Sequence, residues 1–294
     1  MESIPHSKML VNGALFVLFM GTVWTDVILN KSGRLRSLPY NCVEAVCAAG
    51  SEAKSGIYQI RLPLDGWAHR PFYVYCLLDD KGGDPWLLVQ RRQDGEVNFY
   101  RNWNDYKAGF GSLDTSFFIG LDKLHALTQV QLNELQIVLH DFDDTVKYAN
   151  FKSFAVGDEN EKYALNILGD FSGSAGNGTL YYNSGQKFST YDMVNNFKPG
   201  RENCAKYYKG AWWFRGCFWS HLNGEYINGT IRNGEKGIIW NTWRGVNYSL
   251  KYAHMAIRPI DSTEMRVHGC RKKRHEKRQC RKTKNRAQNT TNKD

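Results

Sequence analysis

Residues 203–226, NCAKYYKGAWWFRGCFWSHLNGEY, narrow what this chain can become more than any other stretch. They hold two cysteines thirteen positions apart, three of the nine tryptophans and three glycines. Such a segment is too irregular for one helix or strand and too aromatic to be left in water. A disulfide between Cys204 and Cys217 would staple it, a constraint worth roughly 3 kcal/mol on chain-entropy grounds. Trp212 and Trp213 are neighbours, so in an extended segment they point to opposite sides. One is expected to anchor the core and the other to lie near the surface. A disulfide-pinned core loop and a ligand-bearing surface loop are both consistent with this pattern, and the two are compatible.

The rest of the chain sets the compartment. Of the formal charge of +10, residues 262–294 contribute twelve Lys or Arg against three acids, +9, so the other residues sum to about +1. The basicity is a tail. Lys8 precedes an apolar run from Met9 to Trp24, and Asp26 follows. That length and flank predict a secretory signal peptide over residues 1–25, with no membrane span left after cleavage; the alternative is an uncleaved anchor, and either places the rest of the chain in an oxidising compartment. Seven cysteines suit an oxidising, secreted environment, and their odd number leaves at least one unpaired or intermolecular. Cys76 ends an apolar strand and needs a partner near the start of the domain, either Cys42 or Cys47.

The hydrophobic pattern predicts strands over 56–62, 72–78, 86–91, 135–139, 146–156, 162–168 and 250–258, with short helices over 102–109 and 121–127. From 169 to 236 the chain is rich in Gly, Asn and Ser and shows no sustained period. The expected class is α+β: a mostly antiparallel central sheet with short helices and a large loop-rich lobe. The expected layout is a signal peptide (1–25), a short lead (26–39), one domain (40–261) and a basic disordered tail (262–294). The lead has neither heptads nor Gly-X-Y repeats, so assembly through a stalk is not expected.

Several stretches in order carry a resemblance: SGIYQIRLP (55–63), FYVYC (72–76), WLLVQRRQDGEVNFYRNWNDYKAGFG (86–111), FFIGLDKLHALT (117–128), FST-Tyr-Asp (188–192), GIIWNTW (237–243) and YSLKYAHMAIRP (248–259). With the 203–226 segment they resemble the C-terminal globular domain of fibrinogen-type proteins, a family that includes ficolins, angiopoietins, tenascins and techylectins. The resemblance covers about residues 40 to 260. It implies a similar α+β fold with ligand sites in the irregular lobe. It also favours Cys42 as the partner of Cys76, although spacing alone leaves Cys47 open.

The resemblance implies two sites, and this sequence departs from both. The family's calcium site resembles Asp-x-Asp-x-Asp with nearby backbone carbonyls, because a hard cation needs charged oxygens. Here the run is Asp192-Met193-Val194-Asn195-Asn196, leading on to Gly200. Val194 and Asn196 stand at the carboxylate positions, so the degraded site is expected to be weak or absent and no cofactor is expected. In ficolins and techylectins, acetyl groups enter a pocket beside the disulfide loop. Tyr208 matches that pocket. Phe218 replaces its histidine, Gly216 stands before the second cysteine, and Gly234 and Glu235 replace a Tyr-Ala pair. Aromatic faces nonetheless persist at Tyr207, Tyr208, Phe218 and Trp219 for a sugar or peptide.

The tail CRKKRHEKRQCRKTKNRAQ (270–288) would dock on anionic glycans at a cell surface, nucleic acid being in the wrong compartment. Among the sequons, those at Asn177 and Asn228 fall in the lobe and are the expected glycosylation sites; Asn247 lies close to folded structure. The acidic run His140-Asp141-Phe142-Asp143-Asp144 is expected to be a solvated turn. No HExxH, nucleophile elbow or phosphate-binding glycine loop is present. The expected function is therefore recognition, not catalysis. The leading form is a secreted, lectin-like protein binding glycans or acetylated ligands, with innate immunity as its expected setting. The alternative is a receptor or matrix ligand of the angiopoietin or tenascin kind.

Overall fold

The computed structural model describes residues 38–176, 178–195, 203–231 and 236–260, together with the short pairs Ile28–Leu29 and Leu35–Arg36. Those two pairs form an antiparallel ladder of their own. Seven principal strands build the central sheet: β1 (Gly56–Ile60), β2 (Phe72–Leu77), β3 (Trp86–Arg92), β4 (Asn133–His140), β5 (Val146–Val156), β6 (Leu165–Leu168) and β7 (Tyr252–Pro259). Their spatial order is β6-β5-β4-β7-β3-β2-β1, every pairing is antiparallel, and three short strands off this path complete a ten-stranded sheet. One of the three is Phe171–Gly173, within the glycine-rich run GDFSGSAG, which pairs with β5.

The strands follow from their side-chain patterns. In β4, Asn133, Leu135, Ile137 and Leu139 are buried while Glu134, Gln136, Val138 and His140 are half-buried, the alternation of a sheet with one face on the core. β3 is buried along its whole length. Its apolar half, Trp86 to Val89, fits a central strand, but Gln90, Arg91 and Arg92 are buried too. Gln90 and Arg92 lie under the lobe and bond to it, whereas Arg91 Nε donates to Thr115 O at 2.6 Å. Gln90 Nε2 donates to Leu222 O (3.0 Å) and Asn223 Oδ1 (3.1 Å), and Arg92 Nη1 donates to Leu222 O (3.0 Å) and Gly224 O (2.7 Å). The Arg92 guanidinium also lies 3.8 Å from the centre of the Phe99 ring. Burial lowers its pKa to about 10. The same strand thus holds the sheet together and tethers the loop-rich region.

Three helices flank the sheet: α1 (Cys42–Ala49), α2 (Trp103–Ala108) and α3 (Leu121–Val130). α1 lies just after the expected lead and was not anticipated from its pattern. Asn41 caps it, its side chain accepting from Glu44 N at 3.0 Å, and the Cys42–Cys76 disulfide joins it to β2. α2 is capped by Asn102, which accepts from Asp105 N at 2.8 Å.

The lobe carries only short ladders, Ser220–His221 with Ile239–Trp240 and Gly229–Thr230 with Tyr248–Ser249. Its interior is aromatic: Phe188, Trp212, Trp213, Phe214 and Trp240 are all fully buried. The indole nitrogens of Trp213 and Trp240 donate to Tyr163 O (2.7 Å) and Ala175 O (2.9 Å). Both members of the Trp212–Trp213 pair are therefore core residues, against the expectation that one would reach the surface. Their ring centres are 5.1 Å apart, edge to face, and Trp212 lies in an antiparallel bridge with Ser189, so this segment is covered on both of its faces.

The acidic run after β4 also differs from a plain solvated turn. Asp141 is fully buried, its Oδ1 accepting from the backbone N–H groups of Asp143 (3.0 Å) and Thr145 (2.8 Å). Its other oxygen accepts from Arg244 Nε at 2.9 Å, Asp143 pairs with the same guanidinium, and Asp144 pairs with Lys251. The turn is a polar clasp between the sheet and the lobe.

Candidate functional site

The 203–226 loop is built from its first residue. The Asn203 side chain accepts from Lys206 N at 3.1 Å and starts the helical turn Cys204–Tyr207, while its Nδ2 donates to Tyr191 O at 2.8 Å. The Cys204–Cys217 disulfide closes the first part of the segment, with its Cα atoms 5.5 Å apart. Between them Gly210 admits no side chain: a Cβ there would lie 2.2 Å from Asn223 O and 2.7 Å from His221 Nε2. Asn223 Nδ2 donates to Ala211 O at 3.0 Å, which fixes this close approach.

The closed loop sorts its aromatics. Tyr207 is 49 % exposed and Trp219 45 %, whereas Phe218 is only 9 % exposed. The Tyr208 and Phe218 rings meet edge to face at 4.7 Å, and Tyr207 meets Tyr208 at 4.8 Å. Phe218 continues inward to His221, 5.0 Å between ring centres. His221 is fully buried among Trp212, Phe214 and Phe218, and neither ring nitrogen has a hydrogen-bond partner among the described residues. Burial, with the nearby Arg92 charge, pushes its pKa down to about 3, so the ring is neutral. Gly216 takes the left-handed conformation at φ 56°, letting the chain turn back to Cys217. Of the positions expected to line an acetyl pocket, Tyr208 and Phe218 meet here, and Gly216 stands at the turn just before Cys217. Gly234 and Glu235 lie outside the described residues.

Sequence reading named Trp219 as an aromatic face but missed what it meets. Trp219 stacks on Tyr182, with ring centres 5.4 Å apart and planes 20° from parallel. The Arg215 guanidinium lies 5.5 Å from the centre of the Tyr182 ring. Tyr182 is thirty-seven positions upstream of Trp219, and no period in the sequence links the two.

The expected metal position reads differently in three dimensions. Asp192 Oδ1 accepts from Trp103 N at 3.0 Å and from Thr190 Oγ1 at 2.6 Å, so its carboxylate anchors the start of α2. Val194 offers no side-chain oxygen. Asn196 and Gly200 lie outside the described residues. No group of three or more His, Cys, Asp or Glu side chains is placed to hold a metal ion among the described residues. The residues described do not fit a calcium site of the expected kind.

Asn228 is exposed, as expected for an acceptor, and Asn247 is exposed as well. In the Asn247 sequon the hydroxyl residue, Ser249, is buried and accepts from Ile238 N at 3.0 Å. Asn177, the leader at 1–25 and the basic tail at 262–294 lie outside the described residues. Cys47 is disulfide-bonded, and Cys42 is the partner of Cys76.

Comparison with known proteins places this geometry. The sequence matches the family described as fibrinogen beta and gamma chains, C-terminal globular domain, over residues 38–260. It is 42 % identical over 194 residues to mouse (Mus musculus) fibrinogen C domain-containing protein 1, covering 64 % of this chain and 41 % of that protein. Ryncolin-4 of Cerberus rynchops is 44 % identical over 189 residues, covering 64 % of this chain and 54 % of that protein. This chain thus matches between two-fifths and just over half the length of these two relatives. Among solved structures, the fibrinogen-like globe domain of human ANGPTL6 superposes with a TM-score of 0.68 at 36 % identity, covering 76 % of this chain and 99 % of that one. A lamprey fibrin D-dimer, complexed with the peptide ligand Gly-His-Arg-Pro-amide, gives a TM-score of 0.68 at 33 % identity, covering 76 % of this chain and 74 % of that one. With the α+β sheet, the lobe and a match running through the Cys42–Cys76 and Cys204–Cys217 disulfides, the chain belongs to the fibrinogen C-terminal globular domain family.

Proposed function

We propose that this protein is a secreted recognition protein that binds extracellular glycans or acetylated ligands through the surface around Tyr207, Tyr208 and Phe218. The observation that carries the reading is the disulfide-closed loop, which holds Tyr207 half-exposed beside a Tyr208–Phe218 contact at 4.7 Å. Aromatic rings fixed in this way offer apolar faces to a sugar or an acetyl methyl group at little cost in ordering. The matched domain family is not a catalytic one. Among the described residues no helix is long and apolar enough to cross a membrane. The leader at 1–25 would deliver the domain outside the cell, where a role in innate defence would be exercised. The basic tail would add affinity for anionic glycans. Glycosylation at Asn177 and Asn228 belongs to the same reading.

The second reading is a ligand for a receptor or the matrix, of the angiopoietin or tenascin kind. It is favoured by Phe218, whose ring fills the space between Tyr208 and His221 where a polar group would greet an acetyl oxygen. Retention of the secreted protein on N-acetylated beads separates the two. Retention that free acetate or N-acetylglucosamine reverses, and that Tyr208→Ala abolishes, is the outcome expected for the first reading. Passage straight through the column would transfer the weight to a protein partner.

A further inference from the structure

We propose that Trp219, Tyr182 and Arg215 form a second binding subsite, one that takes a pyranose bearing a carboxylate or a sulfate. The inference rests on the glycan-binding reading for the class of ligand but uses a separate set of residues.

Phe218 turns inward to Tyr208, Phe214 and His221, and Trp219 turns away to stack on Tyr182. An indole left 45 % exposed forgoes part of the burial that its neighbours Phe218 and Ser220 achieve. Yet it is not loose. Tyr182 and Trp219 are each followed by a fully buried anchor, Asn183 and Ser220, and these anchors bond to each other, Ser220 Oγ to Asn183 Oδ1 at 3.2 Å. Asn183 Nδ2 donates to Trp213 O at 2.7 Å, and Trp219 O accepts from Asn241 N at 3.0 Å. The stacked pair is therefore held from behind by the lobe core, and a ligand would pay little to order it.

Arg215 gives the ledge its sign. It is exposed, its backbone N–H is tied to Cys217 O at 2.7 Å, and its side chain makes no ion pair among the described residues. A guanidinium so placed has its planar fork open to a carboxylate or sulfate. An aromatic ledge takes the C–H face of a sugar ring, and the cation beside it selects for an acidic substituent. One cation beside one stacked pair suits a single charged sugar better than an extended acidic peptide, which would call for several.

The test uses the full chain and follows tryptophan emission during titration with four probes. These are a hyaluronan tetrasaccharide (carboxylate only), a keratan sulfate tetrasaccharide (sulfate only), neutral chitotetraose and a hexaglutamate peptide. One or both anionic saccharides are expected to bind at least about tenfold tighter than chitotetraose, the scale of one charge-assisted hydrogen bond. Which of them binds identifies the acidic group. Arg215→Gln should erase that preference, Trp219→Ala should weaken every saccharide, and Tyr208→Ala should leave the preference intact. If Trp219→Ala does not fold, Arg215→Gln carries the test by itself. The proposal is overturned if no anionic saccharide binds, if neutral and charged probes bind alike, or if the charged ones bind both ledge variants as they bind the parent protein. Hexaglutamate binding as tightly as the saccharides, with loss in Trp219→Ala, would make the ledge a peptide site and would equally sink it. Failure on N-acetylated beads with this preference intact would remove the Tyr208 reading and leave the ledge.

Discussion

At the scale of single residues, two buried histidines tie the stability of the domain to pH. His221 and His254 are both buried, and burial lowers the pKa of each to about 3. Because the folded-state values lie below that of an unfolded histidine, the unfolded chain binds more protons as pH falls. The stabilisation is complete above about pH 6.5 and is lost progressively toward pH 3, by up to about 1.4 kcal/mol per pH unit per histidine. His221→Phe, which places a ring among Trp212, Phe214 and Phe218, should flatten the fall in urea midpoint between pH 6.5 and 4. An unchanged pH profile would show that the imidazole is not held neutral. Asp141 acts in the same direction at lower pH. Burial opposes its ionisation, but the Arg244 bonds and the N–H groups of Thr145 and Asp143 outweigh that and hold its carboxyl below the ordinary range. Its contribution is present above the unfolded carboxylate pKa and is lost as pH falls through the depressed folded value. Asp141→Ala should cost about 1.5–3 kcal/mol at pH 7, the scale of hydrogen bonds to a charged group, measurable by urea denaturation.

At the scale of elements, the Cys204–Cys217 bridge and strand β7 carry the organisation. Replacing both cysteines by alanine should cost roughly 3 kcal/mol. It should also release the Tyr208–Phe218 contact, so ligand retention should fall before the sheet unfolds. Hydrogen exchange would show this as lost protection confined to the loop. In β7, Met255 pairs with Gln90 on one side and Ile137 on the other and is buried. Met255→Ala should therefore destabilise the whole sheet, by about 2–5 kcal/mol. A loss confined to one edge would contradict the central placing of this strand.

At the scale of the whole molecule, β7 comes last in the principal sheet yet sits between β3 and β4, a separation of well over a hundred residues from both. Loop closure must precede the contacts that reward it, so refolding is expected in the slow range of non-local β topologies, ms to s or longer. A stopped-flow trace finished within microseconds to a few milliseconds would contradict that. Calcium is expected to leave the melting temperature unchanged, since a ligand stabilises only by the mass action of its binding to the folded state. Thermal scans in calcium and in chelator would check this, and a clear upward shift with calcium would reinstate the site.

The sequence by itself determined the domain and most of its frame. The long strand at 146–156 stands where its pattern puts it, and the half-buried alternation around Leu135, Ile137 and Leu139 is visible as β4, because a period of two records which face meets the core. Helix α1 was hidden: eight residues, CVEAVCAA, hold their helix through the Asn41 cap and a disulfide, not through a clear apolar stripe. The burial of Trp212 with Trp213, the clasp of Asp141 on Arg244 and the duty of Asp192 at the start of α2 were decided only by tertiary structure. Each depends on a partner dozens of residues away, which no local period encodes. The same holds for the Trp219–Tyr182–Arg215 ledge. Local pattern fixes which way a side chain faces, and only the folded chain fixes what it meets.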